Sequence, residues 1–374
     1  MKILLINHYA GSPNLGMEFR PYYVTKGWVK LGHEVLIVGG SYSHLRKVQP
    51  QSCEEMIDDM RYRWVKVNPY KGNGIGRIIS MFSFVTKLYC NYRRYLRNFK
   101  PDIVIASSTY PLDIYPAYRI ARHYHAKLIY EVHDLWPLSP MELGGYSKKH
   151  PFIRIMQKAE DDCYRYADAV VSMLPKAEEH MREHGLTRDK FHYVPNGIVL
   201  SDWNNPKGIP EEHGLLLSKL RAEGKFIVGF AGAHGIANSL YAVIDAVSSL
   251  TEQNVVLVLV GGGQEKENLI KYAHKKGVTN VYFLLPINKL AIPNLLKEMD
   301  VLYIGLQKQS LFRFGISPNK MFDYMMAAKP IIQAIDAGNN LVREADCGID
   351  VEPDNVSEIS KACLLYTSDA ADEL

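Results

Sequence analysis

Apolar runs of strand length alternate along the chain with longer stretches in which apolar residues recur at helical spacing. Residues 2–7, 34–38, 103–107, 127–132, 168–172 and 191–194 read as a first series of strands, and 226–231, 255–260, 281–285, 300–305 and 330–334 as a second. Runs such as Val255–Val260 (VVLVLV) have no polar face, which implies strands covered by helices on both sides. The pattern predicts an α/β protein of two Rossmann-like parallel-sheet domains, with ligands at the carboxyl ends of the strands in a cleft between them. Val194–Glu212 holds three prolines and two glycines and breaks both periodicities, as a linker would. The expected division is residues 1–194, a linker at 195–212, and a second domain at 213–362.

The last twelve residues, Cys363–Leu374, read as a non-native scar. Cys363–Glu373 back-translates to a sequence resembling an adapter of transposon-based sequencing libraries, so poor packing is expected there and a truncated second domain before it. The full length of 374 residues exceeds what one core usually supports. No apolar run approaches the ~20 residues that span a bilayer, and Met1–Ile6 is too short for a secretory signal core. Five scattered cysteines without a CxxC pair suggest neither a zinc site nor a disulfide framework, so a cytoplasmic location is expected.

Charge is unevenly placed. Residues 61–100 hold ten Lys or Arg and no acid, although the whole chain carries only +4. Aromatic residues are interleaved with these charges, a composition suited to an anionic membrane surface, with Arg77, Lys87, Arg93, Arg94 and Arg97 as the candidate contacts. Nucleic acid is the rival partner. The plainer reading is a solvated helix whose aromatic stripe faces the core.

The dinucleotide fingerprint is missing: after the first strand it would need glycines where His8, Ala10 and Pro13 stand, and Gly261 and Gly263 are followed by Lys266. Glycine-bearing turns at Gly11 and Gly16, at Gly232 and Gly235, and at Gly261–Gly263 would let backbone N–H groups approach phosphate, although packing alone also explains such glycines. The sharpest local signal is Ser317–Tyr324 (SPNKMFDY). Ser317 is expected at the N-cap and Pro318 at the first helical position, which sets Lys320 in the first turn, where the helix dipole disfavours a cation. A diphosphate held by Lys320 and the free amides would remove that cost, with Asp323 one turn on gripping ribose hydroxyls. A surface lysine paired with Asp323 at i, i+3 is the alternative. At the exit of strand 127–132, period-2 alternation puts Glu131 and His133 on one face, with Asp134 adjacent. No HExxH, Walker lysine motif or Ser/His/Asp order is present.

With these residues in view, the chain resembles glycosyltransferase family 4, the retaining, metal-independent sugar transferases of GT-B fold, over nearly all of residues 1–362. Similar elements are the glycine loop ending at Gly16, the Gly32-His33-Glu34-Val35 strand entry, His133-Asp134, the VPNGI stretch at Val194–Ile198, and Phe314-Gly315 with Asp323–Pro330. The segments SPNKMFDYMMAAKP and EVHDLWP are most similar to the branch building O-antigen and capsule sugars, including N-acetylfucosamine transferases. The resemblance implies a donor site of Gly16, Gly232, Gly235, Ser317, Asn319, Lys320, Asp323 and Arg313, and catalytic roles for His133, Asp134 and Lys320. It implies a nucleoside-diphosphate sugar donor, UDP first among bases, no metal or other cofactor, an undecaprenyl-diphosphate-linked saccharide as acceptor, and peripheral attachment to the inner face of the plasma membrane. Three departures stand out. Gly315 replaces the first glutamate of the family's pair, Val199 replaces the aspartate after NGI, and the turn Gly232–Asn238 lacks the usual Arg and Lys. Diphosphate neutralisation then falls to Lys320, with Arg313 and more weakly Arg20. A non-hydrolysing nucleotide-sugar epimerase and an inactive nucleotide-sugar-binding subunit are the rival functions.

Overall fold

The computed structural model describes residues 1–16, 19–72 and 74–367. They form two compact units that divide between Pro195 and Asn196. The first unit contains strands β1 (Lys2–Ile6), β2 (Glu34–Gly40), β3 (Glu54–Ile57), β4 (Met60–Val65), β5 (Ile103–Ala106), β6 (Lys127–Val132), β7 (Ala169–Ser172) and β8 (Phe191–Tyr193). Their order in the sheet is β3-β4-β2-β1-β5-β6-β7-β8, parallel throughout except for the β3–β4 hairpin. The helices are α1 (Phe19–Lys30), α2 (Ile75–Tyr95), α3 (Ile114–Tyr124), α4 (Leu138–Gly144), α5 (Pro151–Tyr166) and α6 (Glu178–Glu183). Leu5 lies in register with Ile37 on one side and Ile105 on the other, all three buried, so the middle of the sheet is apolar on both faces as its sequence requires.

The second unit holds β9 (Phe226–Ala231), β10 (Val255–Val260), β11 (Val281–Leu284), β12 (Val301–Gly305), β13 (Ile331–Ala334) and β14 (Gly348–Asp350), in the all-parallel order β11-β10-β9-β12-β13-β14. Its helices are α7 (Leu200–Asn204), α8 (Glu211–Ala222), α9 (Leu240–Ser248), α10 (Lys266–Lys275), α11 (Ile292–Lys297), α12 (Asn319–Met326), α13 (Leu341–Glu344) and α14 (Val356–Leu365). Alternate residues of β10 enter two separate cores. Leu257 and Leu259 pack with α9 and α14, and Val256, Val258 and Val260 pack with Leu295, Met321 and Tyr324.

Three expectations need amending. The segment expected as a linker contains the short helix α7 and the first two residues of α8, Glu211 and Glu212. Within the basic segment, β4 (MRYRWV) is a strand rather than surface, because Tyr62 and Trp64 are buried and the Arg63 guanidinium is neutralised by Glu54 and by the carbonyls of Tyr95 and Arg97. The third concerns the tail. Cys363 is fully buried and Leu364 packs on the core beside it, because Ile359, Ala362 and Cys363 form one apolar face of α14; the poor packing expected from Cys363 onward does not hold there. Residues 368–374 lie outside the described residues.

Candidate functional site

Strands β1, β5 and β6 are neighbours, so the polar residues that end them converge. The Asn7 amide donates to the Ser107 carbonyl, and the Ser107 hydroxyl donates to Glu131 Oε2 at 2.6 Å. Ser107 Oγ also lies 2.9 Å from His133 Nε2. With the hydroxyl hydrogen committed to Glu131, the network assigns the ring hydrogen to Nε2, which lies 3.3 Å from the same carboxylate. On its other oxygen Glu131 receives Arg20 Nε at 3.0 Å, and the remaining guanidinium nitrogens donate to the carbonyls of Pro195 and Val194, each at 2.9 Å. Burial alone would raise the Glu131 pKa. The His133 hydrogen bond and charge, Arg20 and Ser107 together outweigh it and hold the carboxyl down at about 2, an anion at neutral pH. Glu131 and His133 therefore share a face, as alternation predicted, while Arg20 is tied up within the first unit rather than available as a phosphate ligand.

The neighbouring candidates have other tasks. Asp134 Oδ1 accepts from Leu135 N at 2.9 Å and Ser139 Oγ at 2.6 Å, which fixes the turn into α4. Arg77, in the first turn of α2, donates to the Tyr9 hydroxyl and lies over the Tyr9 and Trp136 rings, so it is half-buried against the loop after β1. Lys87 donates to the Lys66 carbonyl. Arg93, Arg94 and Arg97 are exposed at the C-terminal end of α2, where the helix dipole favours cations. Most of the aromatic residues, Tyr62, Trp64, Tyr70, Phe84, Tyr92 and Phe99 among them, turn inward, whereas Ile75, Ile79 and Tyr89 stay exposed. Gly16, at φ +109°, closes the loop after β1, which buried Arg46 braces by donating to the carbonyls of Ala10 and Gly40.

Sequence reasoning missed Asn7, Ser107 and Arg46. The first two were legible as polar stops at strand exits, but Arg46 carries no local signal. A further buried group, Asp113 in the connection after β5, keeps Oδ2 on the Ser108 amide and leaves Oδ1 without a partner; burial pushes its carboxyl up to about 7.

In the second unit the candidates gather at the loops after β9 and β12. Pro318, not Ser317, is the N-cap of α12, with no side-chain cap, so Lys320 is the second helical residue. Ser317 is drawn away from the capping role because its Oγ accepts from Asn196 N at 2.8 Å and its carbonyl from Asn196 Nδ2 at 2.6 Å. The Lys320 ammonium donates to Asn238 Oδ1 and lies 4.5 Å from the centre of the Phe230 ring. It does not pair with Asp323, whose raised carboxyl reflects burial, opposed by Lys289 and a Trp203 hydrogen bond. Burial lowers the Lys320 pKa to about 8. Asn319 at the helix tip is exposed.

Beside Lys320, His234 is fully buried and neither ring nitrogen has a partner; burial, then the charges of Lys266 and Lys320, lower it to about 4. Gly232 sits where an added Cβ would lie 3.5 Å from Lys320 Nζ. Gly235 precedes the short turn Ile236–Asn238 that delivers Asn238. Gly261 is glycine for packing: a Cβ there would lie 1.9 Å from the Gly232 carbonyl oxygen. Arg313 is exposed and donates to the Ser310 carbonyl. Gly315 adopts φ +99°, ψ 171°, a conformation that disfavours the glutamate found there in the resembling family.

Two family models match consecutive parts of the chain, a glycosyl transferase 4-like domain over residues 16–197 and a glycosyl transferases group 1 domain over 225–369. Over 215 residues the chain is 24% identical to TuaH of Bacillus subtilis (strain 168), described as a teichuronic acid biosynthesis glycosyltransferase; the match covers 55% of this chain, which spans about half the length of that relative. Among solved structures, Anabaena HepE in complex with UDP-glucose aligns with a TM-score of 0.64 and 16% identity over 99% of this chain and 91% of its own. Sucrose-phosphate synthase from Thermosynechococcus elongatus aligns at 0.69 and 14% over 99% and 90%. WaaG, a glycosyltransferase involved in lipopolysaccharide biosynthesis, aligns at 0.65 and 16% over 99% and 91%. At such identities these structures establish the shared GT-B fold.

Proposed function

We propose, for a chain that belongs to the GT-B glycosyltransferases, transfer of a sugar from a nucleoside-diphosphate donor to a saccharide acceptor of a cell-surface polysaccharide. The observation that carries this reading is Lys320: a half-buried ammonium at the uncapped N-terminus of α12, beside an unpartnered imidazole, with a neutral amide as its hydrogen-bond partner. An anion at that point restores the charge that burial disfavours and uses the amides of Asn319 and Lys320. A diphosphate meets this description, and UDP is the first candidate because the HepE complexes contain UDP or UDP-glucose. Asp323 in the same helix is assigned to the ribose. Ser317, Gly232, Gly235, Arg313 and Gly16 complete the proposed donor set.

In this mechanism C–O bond breakage at the anomeric carbon places negative charge on the leaving diphosphate, where Lys320 and the helix terminus stabilise it. The diphosphate oxygen accepts the proton of the incoming hydroxyl, so the sugar is transferred with retention and no protein carboxylate attacks. His133, held by the Glu131 anion, is assigned to orienting the sugar, and Asp134 to fixing the turn that carries it. The acceptor is proposed to be a lipid-linked saccharide, in keeping with the TuaH and WaaG names, and the branch specificity is proposed to be an N-acetylhexosaminyl or hexosyl unit.

None of the described helices is long and apolar enough to cross a membrane. Access to a lipid acceptor is assigned to exposed Arg93, Arg94 and Arg97, at about 1 kcal/mol per cation on an anionic leaflet. Calorimetric titration of a nucleotide-sugar panel, followed by product analysis with and without acceptor, tests the reading. Acceptor-dependent transfer supports it. Isomerised nucleotide sugar formed without acceptor replaces it with epimerisation, and binding without any turnover replaces it with a binding subunit. Reversing the three arginines to Glu should abolish flotation with anionic vesicles; equal flotation of both proteins removes the membrane assignment.

A further inference from the structure

Helices α5 and α6 bring together a group of side chains that the proposed reaction does not use. His180 and His184 stand at i and i+4 across the end of α6, and their ring centres lie 4.7 Å apart. Facing them on α5 is Glu160, almost fully buried, whose Oε1 lies 3.2 Å from His180 Nε2. One ligand atom from each of Glu160, His180 and His184 falls within 4.8 Å of the others. Tyr164 donates to Glu160 Oε1 at 3.0 Å and Gln157 to Oε2 at 2.8 Å. Asp161 Oδ1 lies 3.0 Å from His184 Nδ1, and Gln157 Nε2 is 2.8 Å from that nitrogen.

Charge makes this arrangement unusual. The hydrogen-bond partners of buried Glu160 are a phenol, an amide and an imidazole, and those of Asp161 are the same amide and the other imidazole. Among the described residues none of these partners carries a fixed positive charge, so a bound cation would meet the buried Glu160 oxygens without a competing one. Two imidazoles at i, i+4 with one carboxylate form the nitrogen and oxygen donor set of a borderline divalent ion.

We propose that Glu160, His180 and His184 bind one zinc-class divalent ion, with Asp161 as the carboxylate that orients His184 or completes the shell. The ion joins α5 to the crossover between β7 and β8. Tyr164, which bonds Glu160, lies edge-on to Tyr130 of β6, the strand that carries Glu131, so the ion stiffens the frame of the first unit without touching the reaction.

The test uses the full chain stripped by a chelator and titrated with Zn2+, by calorimetry and by thermal unfolding. One equivalent should bind and raise Tm. His184→Ala, at a partly exposed helix end, should weaken binding roughly tenfold to a hundredfold and remove most of the Tm shift. Glu160→Gln, which keeps the Tyr164 contact, should do the same. Co2+ should give the intense visible absorption of a tetrahedral site in the wild type and not in His184→Ala. Absence of saturable Zn2+ binding in the wild type, or equal binding by wild type and both variants, overturns the proposal.

Discussion

The carboxylate of the first unit is buried and the lysine of the second half-buried, and the two charges are treated in opposite ways. Glu131 receives Arg20, Ser107 and His133, so every oxygen is occupied and its pKa falls far below the ordinary range. Lys320 has an amide oxygen and an aromatic face, and its pKa falls toward neutrality because burial is not compensated. A satisfied charge holds geometry; an undersatisfied one is set to receive a partner. Under the proposed function, the contrast gives positioning to one region and anion capture to the other.

The contrast can be tested at several strengths. Glu131→Gln leaves Arg20 and His133 facing a neutral amide in a buried setting and should cost about 3–5 kcal/mol of stability in denaturant unfolding. Because the folded pKa of Glu131 is about 2 against an ordinary 4.5, its contribution is complete above 4.5 and lost as pH falls from there toward 2. The variant should therefore show a flatter acid-unfolding profile across that window, and an unchanged profile would show that the network is not what holds the loop. Lys320→Ala should instead keep the fold and lower turnover about 10² to 10³-fold; near-normal turnover removes the donor assignment.

A smaller effect follows from protonation. With burial pushing Lys320 down to about 8, nucleotide binding should take up a proton around that pH and weaken by about tenfold per unit above it. Calorimetry in buffers of different ionisation enthalpy measures the uptake, and a pH-independent affinity between 7 and 10 would contradict it. The least disruptive change is Asn238→Ala, which removes the amide oxygen on Lys320; about 1 kcal/mol of stability should be lost while nucleotide affinity stays within a few-fold. A large loss of affinity would mean that Asn238 touches the donor itself.

Much of the architecture is readable from periodicity because the central strands are covered on both faces, and continuous apolar runs such as Val255–Val260 leave little choice. The hairpin β3–β4 was not readable. Its Arg63 is tolerated in a largely buried strand through Glu54 and carbonyls more than thirty residues away. Ser317 shows how a local rule yields to a distant partner: a good capping residue was engaged by Asn196 instead. At the site, alternation revealed Glu131 and His133, whereas Ser107 and Arg20 reach them from 24 and 111 positions away in sequence. The turn Gly232–Asn238 was visible as lacking the usual cations, but the lack of partners for His234 within it is a fact of packing.

Arg20 has one further consequence. Its planar fork spans a side-chain acid and two main-chain oxygens at once, a task that depends on several rigidly spaced donors and not on charge alone. Exchange for Lys, conservative by chemistry tables, would keep the cation yet supply a single point of attachment. The peptide groups at Val194 and Pro195 would then slacken, and an apparently mild swap would behave as a deletion of the strut.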